Sequence, residues 1–130
     1  MTAPITITLY GAPRTKKNSR QFAPKGNTGR PLIFPSPAWR KWLSAVKKNH
    51  GKTSLVTLPD VPYNCAALFY RDRLAGDAVG YYQGLADLLE EWGLLSNDKL
   101  ITQWDGSRML IDREFPRVEL TLTPVSEGTP

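Results

Sequence analysis

Acid is missing from the first 59 residues of this 130-residue chain. Cysteine and histidine are nearly missing too, occurring once each as Cys65 and His50. One cysteine makes no internal disulfide, and with one histidine it excludes a Cys/His zinc site. No apolar run approaches the roughly 18 residues of a membrane span, so no membrane partner is expected. MTAPITITLY has no basic stretch before an apolar block, so no secretory signal is expected and the expected setting is cytoplasmic. Neither G-x-G-x-x-G nor G-x-x-x-x-G-K-[ST] occurs, and GAPRTKKNS lacks the phosphate-loop spacing, so no nucleotide cofactor is indicated. A Ser-His or Cys-His nucleophile pair would have to use His50, at the end of a lysine-rich helix. Cys65 falls mid-strand and reads as core.

What is present is a division of charge. Residues 1–59 hold eleven basic residues, and residues 60–130 hold six basic and twelve acidic ones, for a net charge of +5. A basic half suggests a polyanionic partner. With 41% hydrophobic and 22% charged residues, the composition is that of an ordinary globular protein, and the length suits one domain over 1–130.

Alternation places Ile5, Ile7 and Leu9 on one face of a strand. Residues 11–31 are rich in Gly, Pro and base and nearly free of apolar side chains. They read as a long loop, functional or mobile. Leu32–Phe34 suggests a short strand. Ser36 as N-cap and Pro37 at the first helical position open a helix with Trp39, Trp42, Leu43 and Val46 on its buried stripe, ending near Asn49–Gly51. Val61–Tyr70 reads as a strand. A second helix runs from an Asp77 N-cap to Trp92, with Gly93 just beyond its end. Leu100–Ile111 and Arg117–Thr123 suggest a hairpin around Asp112–Pro116, and residues 125–130 a frayed tail. The expected fold is α+β: a mixed sheet with two main helices packed on one face.

Lys16-Lys17-Asn18-Ser19-Arg20 on a loop, with Arg14 before it, offers charge and hydrogen bonds to phosphate oxygens. Arg40, Lys41, Lys47 and Lys48 lie on the outer face of the first helix and could continue that track. Phosphodiester cleavage also needs carboxylates from separate elements converging on a divalent cation. The candidates are Asp77, Asp87, Asp98 and Asp105. Each has a plainer reading: helix cap, solvated face, Asn-Asp turn, and bulge or turn. Gly80 and Gly84 stand one turn apart in the second helix, each costing about 1 kcal/mol of propensity against Ala. Something must approach that helix closely: a twin subunit, a strand or a substrate. Trp39, Trp42 and Trp92 fall on apolar stripes, whereas Trp104 is less readily placed and could stack a base.

The stretch Gly76-Asp77, Gln83, Ala86-Asp87-Leu88-Leu89, Trp92-Gly93-Leu94-Leu95 and Asn97-Asp98-Lys99-Leu100-Ile101 resembles the RusA-type Holliday junction resolvases. Asn18 in the basic loop, Ser36 before a helix and the closing Pro116-Arg117-Val118-Glu119-Leu120 also match that layout. The resemblance covers residues 4–124. It implies a magnesium-dependent homodimer that cuts four-way DNA junctions, with manganese as a substitute ion. It makes Asp77 and Asp98 metal-site acids and Asp87 the helix acid, with Asp87 or Asp105 completing the shell. Val79 stands where the family has a second acid, Gly80 where it has Asn, Gln83 where it has a catalytic lysine, and Asn97 where a further acid stands. These departures mark a variant subgroup. The alternative is a family-like DNA-binding protein of a phage or prophage that does not cleave.

Overall fold

The computed structural model describes residues 3–16, 18–22 and 31–126. A main sheet is built from β1 (Ile5–Tyr10), β4 (Tyr63–Arg71), β5 (Ile101–Gln103), β6 (Arg108–Ile111) and β7 (Arg117–Pro124). β7 lies between β1 and β4, antiparallel to both, while β5 and β6 run parallel to β4 along its other edge. The architecture is therefore α+β with a mixed sheet. Parallel pairing is possible because α2 (Ala78–Trp92) carries the chain back between β4 and its parallel partners.

Two sequence expectations need correction. β6 and β7 do not form a hairpin, because β4 stands between them. Residues 112–116 instead carry the chain past the end of β4, where the Asp112 N–H donates to the Arg71 carbonyl (2.9 Å). Val118, Leu120 and Leu122 alternate along β7 and are buried, as they would be in either pairing, since both bury the same face. Nor is 11–31 a loop throughout: β2 (Asn18–Phe22) pairs antiparallel with β3 (Pro31–Pro35) as a separate two-stranded sheet. The expected short strand Leu32–Phe34 lies within β3, whereas β2 has no alternating apolar residues and its pairing left no trace in the hydropathy pattern. Lys17, residues 23–30 and the tail 127–130 lie outside the described residues.

The helices form as their caps dictate. In α1 (Pro37–His50) the Ser36 hydroxyl accepts from the Trp39 N–H (3.2 Å) and Pro37 opens the first turn. In α2 the Asp77 carboxylate accepts from the Gly80 N–H (2.8 Å). Gly93 ends α2 in the left-handed region, at φ +96°, where a side chain would be strained. Both helices pack on one face of the sheet. Trp39, Trp42 and Val46 of α1 and Tyr81, Leu85, Leu88, Leu89 and Trp92 of α2 share one core with Tyr63, Cys65, Ala67 and Phe69 of β4. Each such large side chain contributes roughly 1.5–3 kcal/mol by leaving water. Among the described residues no helix is long and apolar enough to cross a membrane.

Candidate active site

Residues 14–16 lie across α2, and the two helix glycines make this possible. A Cβ at Gly84 would stand 2.5 Å from the Arg14 carbonyl oxygen, and one at Gly80 would stand 2.9 Å from Thr15 Cγ2. The close neighbour of α2 is thus the chain's own extended segment. The Trp39 indole N–H donates to the Gly84 carbonyl (3.0 Å) from the α1 side.

Two ion pairs fasten this segment to the acidic half. The Arg14 guanidinium binds both oxygens of Asp72 (2.7 and 3.0 Å). That bond holds the Asp72 carboxyl below the usual carboxylate range and raises the Arg14 guanidinium. The Lys16 ammonium sits 3.3 Å from Asp87 and 4.7 Å from the Trp39 ring centroid.

Asp98 completes the cluster. It opens the short 3₁₀ turn Asp98–Leu100, whose cap Asn97 accepts from the Lys99 N–H (2.8 Å). The Asp98 N–H donates to the Glu90 carboxylate (2.8 Å), tying the turn back to α2. This places Asp98 with Asp87 on the lining of one cleft. Burial pushes the Asp87 carboxyl above its ordinary range, the Asp98 carboxyl pushes it further, and Lys16 pulls it back.

The acids open onto a cleft of about 690 Å³, lined also by Lys16, Val79, Tyr82, Gln83, Lys99 and Trp104. Residues 79, 83 and 86–87 share one helix face, a spacing the sequence already contained. Tyr82, Gln83 and Lys99 were not among the expected site residues, although Gln83 and Lys99 lie within the stretch that carries the family resemblance.

The expected pairing of Asp77 with Asp98 is not what the fold builds. Asp77 caps α2, ten residues and about 15 Å along the helix from Asp87. Two carboxylates so far apart cannot share one ion, whose ligand oxygens lie at about 2.0–2.6 Å. Asp105 does not line the cleft either. It is exposed in a turn, with its N–H and carbonyl bound to the Asn64 side-chain amide (2.9 and 3.1 Å). Its plainer reading, a turn, is the correct one. Among the described residues, no three His, Cys, Asp or Glu side chains gather as a metal-binding group. The Asp87–Asp98 pair nonetheless suits Mg²⁺, which commonly takes one or two carboxylates plus substrate phosphate and water.

The basic residues divide by role. Arg14 is engaged with Asp72 and Lys16 with Asp87, so each of these cations already faces an acid of the other half. Arg40, Lys41 and Lys48 are exposed on α1 and Lys47 is half-buried. Lys41 lines a second cleft of about 590 Å³ with Arg14, Trp42 and Arg73. Asn18 and Arg20 belong to β2.

Compared with protein-family models and with curated proteins, the chain matches none.

Proposed function

We propose that this chain is a structure-selective, divalent-metal-dependent endonuclease that hydrolyses phosphodiester bonds in branched DNA, including four-way (Holliday) junctions. The observation that carries the reading is the meeting of Asp87 and Asp98 at an open cleft beside Lys16. Two carboxylates drawn together from a helix and a following turn repel one another unless a cation or a proton lies between them. A bound Mg²⁺ or Mn²⁺ supplies Lewis-acid activation of water at such a pair. Asp87 and Asp98 hold the ion, and Lys16 and Lys99 offer positive charge to the phosphate whose P–O bond breaks as water adds. Arg40, Lys41 and Lys48 extend a basic face for the DNA arms. A four-way junction presents two equivalent strands, so a homodimer goes with this reading.

A second reading has its own observation. Val79 is 59% exposed where the resembled family carries an acid, which leaves two carboxylates at the cleft. That arrangement also suits a protein that binds branched DNA without cutting it. The deciding experiment incubates a synthetic four-way junction with Mg²⁺ and wild-type or Asp98→Asn protein. Nicking by wild type and none by the variant supports the nuclease. Tight, salt-sensitive binding without nicking supports the second reading. Absence of any junction binding refutes both.

A further inference from the structure

The cleft has an aromatic wall that acid chemistry does not use. Phe69, fully buried in β4, packs against Tyr82 of α2 with ring centroids 5.9 Å apart. Tyr82 in turn stacks on Trp104 at 4.6 Å with the rings within 7° of parallel. The three rings form a ladder from the core outward, and its outermost ring, Trp104, lines the same cleft as Asp87 and Asp98.

Trp104 is held firmly. It follows β5, where the strand breaks, and its carbonyl accepts from the Ser107 N–H (3.2 Å). The next residue, Asp105, is clamped at both N–H and carbonyl by Asn64. Ser107 is fixed to β4 by bonds to the Cys65 carbonyl and the Ala67 N–H (3.0 Å each). Trp39, the tryptophan under Lys16, is placed differently: it is 2% exposed, does not line the cleft, and its indole N–H is engaged by the Gly84 carbonyl.

We propose that Trp104 is a stacking platform for an unpaired nucleobase, seated beside the phosphate that Lys16 and Lys99 face. This rests on the nucleic-acid reading of the cleft. The volume lies within the roughly 300–1,000 Å³ of small-ligand sites. A rigid ring whose inner face is already stacked gains a second partner at little ordering cost. Bases inside a duplex are covered on both faces, so an unpaired base at a branch point or strand end is the form that can use the platform. The cleft would thereby select the nucleotide next to a discontinuity rather than a continuous duplex.

The test uses the full chain in Ca²⁺ or EDTA, with a branched DNA carrying 2-aminopurine unpaired at the branch and an uninterrupted duplex as reference. Wild type should quench the 2-aminopurine on binding. Trp104→Ala should abolish the quench and weaken the branched DNA roughly 5- to 150-fold, the range of one lost base stack, while duplex affinity stays unchanged. Trp104→Phe should keep most of both, which separates loss of the ring from loss of the fold. The inference is overturned if Trp104→Ala quenches like wild type, if it weakens duplex and branched DNA equally, or if Trp104→Phe behaves as Trp104→Ala. A quench that depends on Trp104 without nicking in Mg²⁺ removes the nuclease and keeps the platform. Nicking indifferent to Trp104 does the reverse.

Discussion

Gly84→Ala is the sharpest probe of how this site is assembled. The added methyl would stand 2.5 Å from the Arg14 carbonyl oxygen, 3.2 Å from the Lys16 nitrogen and 3.5 Å from Thr15 Cα. All three are backbone atoms, so no side-chain rotation relieves the clash. Overpacking of this kind costs about 1–3 kcal/mol, and backbone resistance places it at the upper end. Replacing a helix glycine by alanine returns about 1 kcal/mol. The expected net loss is therefore about 2 kcal/mol, read as a lower urea midpoint at unchanged slope. Gly80→Ala is the matched control. Its nearest contacts, the Asp77 carboxylate and Thr15 Cγ2 at 2.9 Å, are side-chain atoms. They yield more readily than backbone, so the helix gain is expected to offset most of the strain. The same segment carries Lys16, so Gly84→Ala should also weaken the Lys16–Asp87 coupling in a double-mutant cycle. Gly84→Ala protein as stable as wild type, with that coupling intact, would refute the close approach.

Other expectations follow from the same geometry. Asp98→Asn removes a like charge beside Asp87, so the variant should unfold at the same or a higher urea concentration while losing Mg²⁺-dependent nicking. A clear loss of stability would show that the two acids do not oppose one another. Arg14→Ala should cost about 0.5–1 kcal/mol, because the pair with Asp72 is bidentate but partly exposed; a null effect in thermal unfolding would contradict this. His50 accepts from the Tyr10 N–H (3.0 Å) and packs between Tyr10 and Trp92, and burial lowers its pKa. Its neutral form is the folded one, so its contribution is complete above the ordinary value near 6.5 and is lost as pH falls from there through the lowered folded value. A stability–pH profile should show that slope, and His50→Gln should flatten it.

The sequence made the helices legible because their signals are local. Ser36-Pro37, Asp77 and Gly93 each act within one turn, and the tryptophan and leucine stripes report burial directly. Strand partners were not legible, because alternation reports which face is buried and never which neighbour supplies the hydrogen bonds. That is why β6 and β7 looked like a hairpin although β4 separates them. The site was half legible for the same reason. Asp87 and Asp98 stood out as acids, but only the Glu90–Asp98 bond and the 3₁₀ turn bring them together, and both depend on tertiary closure. Asp77 misled because a good N-cap and a good metal ligand are the same residue type. The glycines asked the right question, and the answer, residues 14–16, lay some 70 positions earlier in the chain.

That distance gives the division of charge a second meaning. The acid-free half reads as a surface for an external polyanion, yet two of its cations are turned inward onto acids of the other half. Arg14 and Lys16 flank Thr15, the residue that lies against Gly80, so the electrostatic contacts and the steric close approach fasten the same three residues. The two pairs differ in kind. Arg14 and Asp72 form a closed, bidentate contact with matched charge. Lys16 faces an Asp87 whose pKa Asp98 also raises, and Lys99 lines the same cleft, so two ammoniums and two carboxyls stand around it. The Lys16–Asp87 contact is a partly exposed and therefore exchangeable pair. Under the proposed function, a cation bound by the two acids would release the Lys16 ammonium, already at the cleft, for a phosphate.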